Sequence, residues 1–221
     1  MDKKIVKKWS YSRYSQYKDC PAMYQWNYLM GKKRPPPSPA MARGLDIHKK
    51  AENFVNGKIT GFPDVLKQFK PEFLQLRKEF KKKKGFCEPD ISMNLDGTPA
   101  TMETTDYFVG FADYAHYGDE LTVIDYKTGR QYPGHQDQGH AYSTALLKMN
   151  PQYENINVEF WYLDSGAVKE FYHTQKDLTR MEGIWQRRID KMYADKKFEK
   201  TPYQWCKSCN RHKRNGGDCS G

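Results

Sequence analysis

Near the middle of the chain, two stretches dense in aromatic and β-branched side chains are separated by a short polar run. The stretches cover residues 108–117 and 121–127, and the run between them is Gly118-Asp119-Glu120. Apolar stretches of this composition are typical of β-strands, and a glycine-containing polar run indicates a turn. If Tyr117 lies opposite Leu121, the two strands pair in one defined register. The pattern therefore predicts an antiparallel β-hairpin.

Earlier in the chain, small and apolar residues recur with helical spacing, and His48 lies beside this stripe. Gly44 and Ala51 flank His48 on the same side of the predicted helix, and Gly44 allows another backbone to approach closely. The proline-rich run 34–39 precedes the helix as a linker or strap. The stripe itself comprises Ala40, Gly44, Ile47, Ala51 and Val55.

The remaining pattern predicts helices on both sides of the hairpin and a second hairpin after it. The expected elements are a helix capped by Ser12 and ending near Cys20, a helix beginning at Pro21, helical spacing over 65–80 interrupted by Pro71, two strands about Asp96-Gly97 within 87–102, a helix over 139–149, strands over 158–163 and 167–172, and a helix over 178–193. Helices flanking a central mixed β-sheet predict an α/β fold.

Composition narrows the class of partner. The 221 residues carry a formal net charge of +10 and 14% aromatic residues, and no run approaches the length of a membrane span. A basic, aromatic-rich protein is suited to single-stranded nucleic acid, because cations attract phosphates and rings stack on unpaired bases. The cluster Lys81 to Lys84 is expected to be a solvated helix end without a specific contact.

The first hairpin also carries candidate chemistry. In its predicted register Asp113 faces Asp125, and directly opposed Cβ atoms are roughly 5 Å apart, close enough for both carboxylates to bind one divalent ion. Lys127 follows Asp125 by two residues and returns to the same face of the strand. Carboxylates suit Mg²⁺ or Mn²⁺, and a lysine can orient a water and offset charge at phosphorus. The triplet predicts a phosphodiester-cleaving site, although in isolation it is more typical of a solvated surface hairpin.

Cysteines form a second candidate site. Cys206-x-x-Cys209 and the later Cys219 need a fourth ligand elsewhere, and Cys20 is the natural candidate. Four thiolates can hold either an iron–sulfur cluster or Zn²⁺. The segment after Cys206 contains no aliphatic residue, so metal ligation would supply its folding free energy by joining it to Cys20. No apolar secretory leader is apparent, which disfavours disulfides. The fifth cysteine, Cys87, is expected to be a small buried apolar residue.

Several motifs occur together in the order found in a known family. They are Arg43-Gly44-x-x-x-His48, Gly110-Phe111-Ala112-Asp113, Asp125-Tyr126-Lys127-Thr128-Gly129, Gln138-x-x-x-Tyr142 and the four cysteines. The chain from about Ser10 to Cys219 thereby resembles RecB-like nucleases of the PD-(D/E)XK superfamily. Within that superfamily it is most similar to the iron–sulfur branch that includes the CRISPR-adaptation nucleases and the AddB nuclease domain.

The resemblance implies roles for these residues. His48, Asp113 and Asp125 would bind Mg²⁺ or Mn²⁺, and Lys127 would be the catalytic lysine. Gln138 and Tyr142 would position the site and the nucleic-acid backbone. From the residues alone, a histidine such as His48 is more often a packed core residue than a ligand, and Gln138 and Tyr142 could form an ordinary helix surface. Glu52 and Glu88 are expected to be solvated charges outside the core site.

For the cysteines, the resemblance implies a 4Fe–4S cluster held by Cys20, Cys206, Cys209 and Cys219. The family usually has a shorter gap than the nine residues between Cys209 and Cys219, and His212 lies inside this gap. Zn²⁺ at the cysteine site therefore stays an alternative. The chain is expected to be a single nuclease domain over 1–221, with an N-terminal helical cluster segment over 10–34, a nuclease core over 40–195 and a C-terminal cysteine segment over 200–221.

The expected activity is that of a metal-dependent DNA exonuclease on single-stranded ends. The expected setting is recombination, repair, phage DNA processing or CRISPR adaptation, in the cytoplasm or in the host cytoplasm if the protein is phage-encoded. A recombination or CRISPR-adaptation protein is an expected partner, and a membrane is not. Two alternatives stay open: a non-catalytic subunit of a DNA-binding complex, and a zinc-stabilised nucleic-acid-binding protein. Metal-dependent cleavage and metal content distinguish them.

Overall fold

One mixed β-sheet organises the computed structural model, which describes residues 8–32, 36–203 and 206–220. Within these residues the sheet has five strands in the order β1-β2-β3-β4-β5. Neighbouring strands are antiparallel except for β3 and β4, which are parallel. The strands are β1 (Gly85–Cys87), β2 (Tyr114–Tyr117), β3 (Leu121–Lys127), β4 (Asn155–Tyr162) and β5 (Ala167–Thr174).

Helices cover both faces of this sheet. They are α1 (Tyr11–Asp19), α2 (Pro21–Tyr24), α3 (Pro39–Val55), α4 (Lys70–Lys81), α5 (Gly134–Met149) and α6 (Gln175–Ala194). The parallel β3–β4 pair needs a crossover connection, and α5 provides it. The α/β prediction with a mixed sheet and flanking helices is confirmed.

Alternation along β3 divides the core into two layers. Val123 joins α5 and α6 residues in one buried cluster, whereas Ile124 and Tyr126 join α3 and α4 residues in the other. Strand side chains point alternately to opposite faces, so consecutive residues belong to different layers. The sheet is therefore buried on both sides at β3, the strand that carries the candidate acid Asp125 and candidate lysine Lys127.

The predicted register of the first hairpin is confirmed. Tyr117 pairs with Leu121 and Tyr114 pairs with Ile124. Strand β2 is shorter than expected, since its ladder begins at Tyr114, and before it Phe108 and Phe111 form only isolated bridges. The same register places Asp113 at the mouth of the ladder beside the end of β3.

Other expectations about local structure were wrong. Ser10, not Ser12, caps α1, and its Oγ accepts a hydrogen bond from the Arg13 N–H. Pro71 does not interrupt a helix: a 3₁₀ turn (Asp64–Phe69) ends before it, and Pro71 lies in the first turn of α4, where its missing N–H costs little. Helix α5 begins at Gly134, five residues before the predicted start.

The predicted hairpin over 87–102 is not present as two strands. The chain turns at Asp96-Gly97, but regular pairing gives way to isolated bridges such as Met93 with Phe108. Side chains replace the ladder: Asp90 accepts hydrogen bonds from the Ser92 and Met102 N–H groups. Local carboxylate acceptors therefore compete successfully with strand pairing here.

The two ends of the described chain approach each other. The Pro21 helix was predicted, and it continues through a π-helical turn (Gln25–Leu29); short 3₁₀ turns (Cys206–Ser208 and Lys213–Asn215) lie in the C-terminal segment. Arg211 donates to the carbonyl of Ala22, joining the two regions. Part of the predicted strap at 34–39 lies outside the described residues. Within the described ranges, no helix is long and apolar enough to cross a membrane.

Candidate active site

Asp113 lies at the mouth of the first hairpin and is held from two sides. Its Oδ1 is 2.6 Å from Nδ1 of His48, and its Oδ2 accepts a hydrogen bond of 2.5 Å from the Tyr126 N–H. Only 10% of the Asp113 side chain is exposed. The contact with Tyr126 ties the residue before β2 to β3, and the contact with His48 ties it to α3.

Helix α3 positions His48 through its own packing. Ser38 caps the helix by accepting from the Met41 N–H, and Pro39 occupies the first turn. Ile47 and Ala51 are buried against the sheet, so the helix is fixed with His48 directed toward Asp113. An ideal Cβ at Gly44 would lie 3.1 Å from the Thr128 Oγ1. The close neighbour predicted for Gly44 is thus a side chain of the loop that follows β3.

Asp125 is the centre of a second hydrogen-bonded group on β3 and α5. Its Oδ1 lies 2.6 Å from Nζ of Lys127, and its Oδ2 accepts from Nε2 of Gln138 at 2.8 Å. The Tyr142 hydroxyl lies 3.1 Å from the same Oδ2 and 2.6 Å from the Phe111 carbonyl, to either of which it can donate. These contacts join both strands of the hairpin to α5.

Gln138 links this group to the lysine. Nζ of Lys127 donates to Oε1 of Gln138 at 2.9 Å, while Nε2 of Gln138 donates to the Tyr142 hydroxyl at 2.7 Å as well as to Asp125. Gln138 and Tyr142 are one turn apart on α5, so they share a face. The structure thus brings all six predicted site residues together: His48, Asp113, Asp125, Lys127, Gln138 and Tyr142.

The carboxylates and the imidazole perturb each other. Burial raises the pKa of Asp113, and the Asp125 charge adds to this, whereas the hydrogen bond from His48 opposes it. Burial lowers the pKa of His48, but the hydrogen bond and charge of Asp113 outweigh this and leave the pKa raised. His48 and Lys127 therefore balance the negative charges of two acids in one nearly buried site. A divalent cation would offset the same electrostatic repulsion.

A model of the PD-(D/E)XK nuclease superfamily matches residues 8–214, almost the whole chain. The chain belongs to this superfamily. Its fold is similar to the crystal structure of the "Putative exonuclease" of Eubacterium rectale, with a TM-score of 0.51 and 13% identity over 85% of this chain and 80% of that one. The crystal structure of a protein named SSO0001 matches with a TM-score of 0.43 and 15% identity, covering 92% of this chain and 82% of that one. No functionally curated protein sequence is significantly similar.

In this PD-(D/E)XK protein, His135 lies beside the site, and the sequence motifs did not predict it. His135 stacks on Phe160 with ring centroids 5.6 Å apart, and its Nδ1 lies 2.7 Å from the Tyr162 hydroxyl. Burial and the charge of Lys127 lower the pKa of His135 to about 4, so the ring is uncharged at neutral pH. Nζ of Lys127 also lies 5.0 Å from the Phe160 ring centroid. The position of His135, three residues before Gln138 on α5, is the signal that could have revealed it.

Glu88 is also closer to the site than its expected role as a solvated charge implies. Its N–H donates to the Asp113 carbonyl at 3.0 Å, and its backbone is left-handed, with φ of 50°. Burial and the charge of Asp113 raise the pKa of Glu88 to about 7. Glu52 differs, because Lys49 and Lys58 pair with its carboxylate. Glu88 therefore borders the acidic centre, whereas the charge of Glu52 is offset by its two lysine partners.

The four predicted cluster cysteines line one cavity between the ends of the chain. Cys20 contributes from the α1–α2 junction, and Cys206, Cys209 and Cys219 contribute from the C-terminal segment. All five cysteines are free thiols, and Cys87 packs instead against the core beneath α3 and α4.

Backbone N–H groups approach two of the cavity sulfurs, whereas burial raises the pKa of the Cys209 thiol. The Tyr203 N–H donates to Cys206 Sγ at 3.1 Å, and the Thr201 N–H approaches Cys20 Sγ at 3.5 Å. His212 also lines the cavity, but its Nδ1 accepts a hydrogen bond from the Arg214 N–H.

Neither candidate metal site is closed around an ion. Across the described ranges, no three or more His, Cys, Asp or Glu side chains are arranged tightly enough to hold one. The donor types nevertheless fit the expected groups. Carboxylate oxygens and an imidazole nitrogen suit Mg²⁺ or Mn²⁺, and four sulfurs suit a cluster or Zn²⁺.

Proposed function

We propose that this chain is a divalent-metal-dependent DNA nuclease that acts as an exonuclease on single-stranded ends. One observation carries the proposal: Lys127 and the two acids meet at one end of β3, in a chain that belongs to a nuclease superfamily. Substrate type and exonucleolytic action rest on the motif resemblance and on the basic, aromatic-rich composition.

His48, Asp113 and Asp125 would hold Mg²⁺ or Mn²⁺, the ions expected for this superfamily. The bound ion would polarise the phosphoryl group and lower the pKa of a coordinated water. For that role Asp113 and Asp125 would exchange part of their present protein contacts for the cation. His48 now pairs with Asp113 through Nδ1, and α3 holds its imidazole beside that acid.

Lys127 has a role in the reaction that the protein itself provides, apart from the metal ion. Its ammonium group is fixed between Asp125 and Gln138 and retains a third proton to donate. It can hold the attacking water or bind a non-bridging phosphate oxygen as the P–O bond to the leaving oxygen breaks. Because its position is set before substrate arrives, the positive charge needs no reorientation when charge develops at phosphorus.

Gln138 and Tyr142 act as positioning residues. Gln138 accepts from Lys127 and donates to Asp125, so it keeps the lysine and the acid in one relative orientation. Tyr142 fixes the backbone at Phe111, two residues before Asp113. Neither side chain needs to touch the reacting atoms to affect the rate.

We further propose that the four cavity cysteines bind a 4Fe–4S cluster, which would place the chain in the RecB-like iron–sulfur branch. Support comes from their common cavity, from backbone N–H groups directed at two of the sulfurs, and from the motif resemblance. The cluster would be structural, joining residues 10–34 to residues 200–221. Zinc at the same cysteines is the alternative that metal analysis tests.

The biological setting follows only from the resemblance: DNA recombination, repair, phage DNA processing or CRISPR adaptation, with a protein partner from one of these systems.

The decisive experiment uses single-stranded DNA labelled separately at each end, with anaerobically purified wild type and Lys127→Ala. We expect progressive shortening in Mn²⁺, none in EDTA, and a loss of at least about a hundredfold in the variant. Lys81→Ala is the matched control, because Lys81 lies on α4 just before β1, whose Gly85 pairs with His116 away from Asp113. If wild type binds the strand but does not shorten it, the non-catalytic subunit becomes the better description.

Metal content is measured on the same preparation. Iron and sulfide in a near-stoichiometric ratio are expected with brown colour. Zinc without iron would exclude the cluster while leaving the nuclease proposal intact, because the two sites are separate.

A further inference from the structure

A basic groove runs between α1 and α6, on the sheet face that α5 covers. It encloses about 530 Å³. Its wall on α1 carries Lys18, and its wall on α6 carries Arg187, Arg188 and Lys191. Of the described residues that line it, none is a carboxylate. A cavity with four cations and no lining acid favours an anionic occupant.

The four basic side chains of the groove differ in whether they already form ion pairs. Asp137 on α5 pairs with Lys18 at 2.9 Å and with Arg188 at 3.1 Å. Arg188 also lies over the Trp185 ring, 4.8 Å from its centroid, so its guanidinium is held in the wall. Arg187 and Lys191 are exposed and form no ion pair with any described residue. They are one turn apart on α6 and therefore face the same way.

The aromatic residues of the groove exclude one mode of binding. Tyr14 and Tyr17 line it but are only 9% and 8% exposed. Tyr17 is further held by its hydroxyl contact with Asp195 at 3.1 Å. Buried rings cannot stack on unpaired bases, so the groove offers cations without stacking platforms. Such a surface is suited to phosphates and carries no sequence information.

The groove and the candidate active site meet on α5. Asp137 faces the groove cations, and the next residue, Gln138, binds Lys127 and Asp125. The Tyr11 hydroxyl on α1 donates to the Gly134 carbonyl at 2.6 Å, which fixes α1 against the first turn of α5. A chain lying in the groove would therefore reach the site within the first two turns of that helix.

We propose that this groove binds the phosphodiester backbone of the single strand, at nucleotides away from the bond that is cut. The proposal rests on the proposed nuclease function and extends it to the path of the substrate. Arg187 and Lys191 supply the contacts with the phosphates. Lys18 and Arg188 stay paired with Asp137 in the groove wall. Binding there is independent of sequence and falls steeply with salt.

The test is the double variant Arg187→Gln/Lys191→Gln, with Lys81→Gln/Lys82→Gln as a control of equal charge change. Binding of a long labelled single strand is measured in EDTA over a salt series. Loss of two phosphate contacts should lower the slope of log K against log salt by about 1.4, since each contributes about 0.7 for single strands. Affinity at low salt should fall about tenfold. The control pair should keep the wild-type slope.

Cleavage of a dinucleotide in Mn²⁺ separates the groove from the catalytic site. A dinucleotide is too short to occupy both, so the groove variant should cleave it at the wild-type rate while cleaving long strands more slowly. Arg187→Lys/Lys191→Arg should restore the slope, because the contact needs charge rather than a particular side chain. A groove variant that matches the control pair in slope and affinity overturns the proposal. Failure of wild type to cleave either substrate would overturn the nuclease function instead, because the EDTA binding data are independent of cleavage.

Discussion

The two candidate metal sites are built in opposite ways. Around Asp125, each polar contact comes from a residue on a packed strand or helix, and β3 between them is buried on both faces. Around Cys209, the surrounding segment has two short 3₁₀ turns and few apolar contacts, and it is joined to the N-terminal helices chiefly by polar side chains such as Arg211. The first site is organised by the fold before any ion binds. A metal at the second site, as proposed above, would supply much of the organisation of that segment.

This difference predicts different consequences of losing a metal. Removing the catalytic ion should stop the chemistry and leave the core intact, because the acids keep partners in His48 and Lys127. Removing the cysteine-bound metal should release a segment that has little hydrophobic free energy of its own. Three substitutions test the contrast, from the largest effect to the smallest, and a pH dependence outside both sites follows them.

The largest effect is expected from Asp125→Asn. The substitution preserves shape but removes the charge shared by the metal and Lys127, so the rate of strand cleavage should fall about a thousandfold. Single-turnover rates in Mn²⁺ measure it. Glu88→Gln is the neighbouring control, with an expected loss below about tenfold, since burial and Asp113 already disfavour the charged form of Glu88. Equal losses in the two variants would place Glu88 among the essential residues.

The Asp125 prediction depends on the part of the fold that the sequence specified best. A glycine-containing polar run between two apolar stretches fixes a hairpin register, because one slipped residue would turn every buried side chain to the other face. That register predicts Asp113 opposite Asp125. In the structure the next pair, Tyr114 with Ile124, has this register, and the charge of Asp125 acts on Asp113. His48 was found by its helical stripe together with the motif order, since its position relative to Asp113 depends on packing that no local pattern encodes.

Other features could not be predicted for a physical reason. The segment 87–102 has strand-like composition, yet Asp90 and Asp106 accept backbone hydrogen bonds that a strand partner would otherwise take. The first turn of α5 begins at Gly134 with little apolar spacing, so the helix that carries His135 was placed too late. The groove between α1 and α6 joins residues far apart in sequence, and only tertiary contacts reveal it.

The second prediction concerns the cysteine site. Cys209→Ala should abolish bound iron and lower the melting temperature by on the order of 10 °C, because the C-terminal segment loses its ligand-derived stability. Iron analysis and thermal unfolding under anaerobic conditions measure it. Cys87→Ala is the matched control, since Cys87 lies outside the cavity. Full iron content in the Cys209 variant would show that another arrangement holds the metal.

A smaller effect is expected from Tyr142→Phe. The ring stays in the core, but the hydroxyl contacts to Asp125 and the Phe111 carbonyl are lost. One hydrogen bond of about 1 kcal/mol corresponds to a rate reduction of roughly fivefold to tenfold. Tyr172→Phe, on the exposed side of β5, should leave the rate unchanged. A wild-type rate for the Tyr142 variant would remove the positioning role.

The smallest effect is a pH dependence of stability away from both sites. Burial and the nearby His173 lower the pKa of His140 to about 4, and its buried Nδ1 has no hydrogen-bond partner among the described residues. Between its usual pKa near 6.5 and about 4, the unfolded chain binds a proton that the folded chain does not, so stability falls as the pH falls. Melting temperatures from pH 7 to pH 4.5 measure it. His140→Phe should show a shallower decline; an identical decline would assign the effect to other groups.

Arg43, at the start of α3, is linked through Asp164 to two loops above the site. Its guanidinium binds both carboxylate oxygens of Asp164 in the β4–β5 turn, and Asp164 accepts the Gly129 N–H at 2.8 Å. One carboxylate thus ties the helix of His48 to the loop that follows Lys127. The Gly129 amide is consequently a reporter of the whole mouth of the site: its hydrogen exchange rate measures how often that tie opens, and a strand that displaces Arg43 would be seen as faster exchange at this single proton.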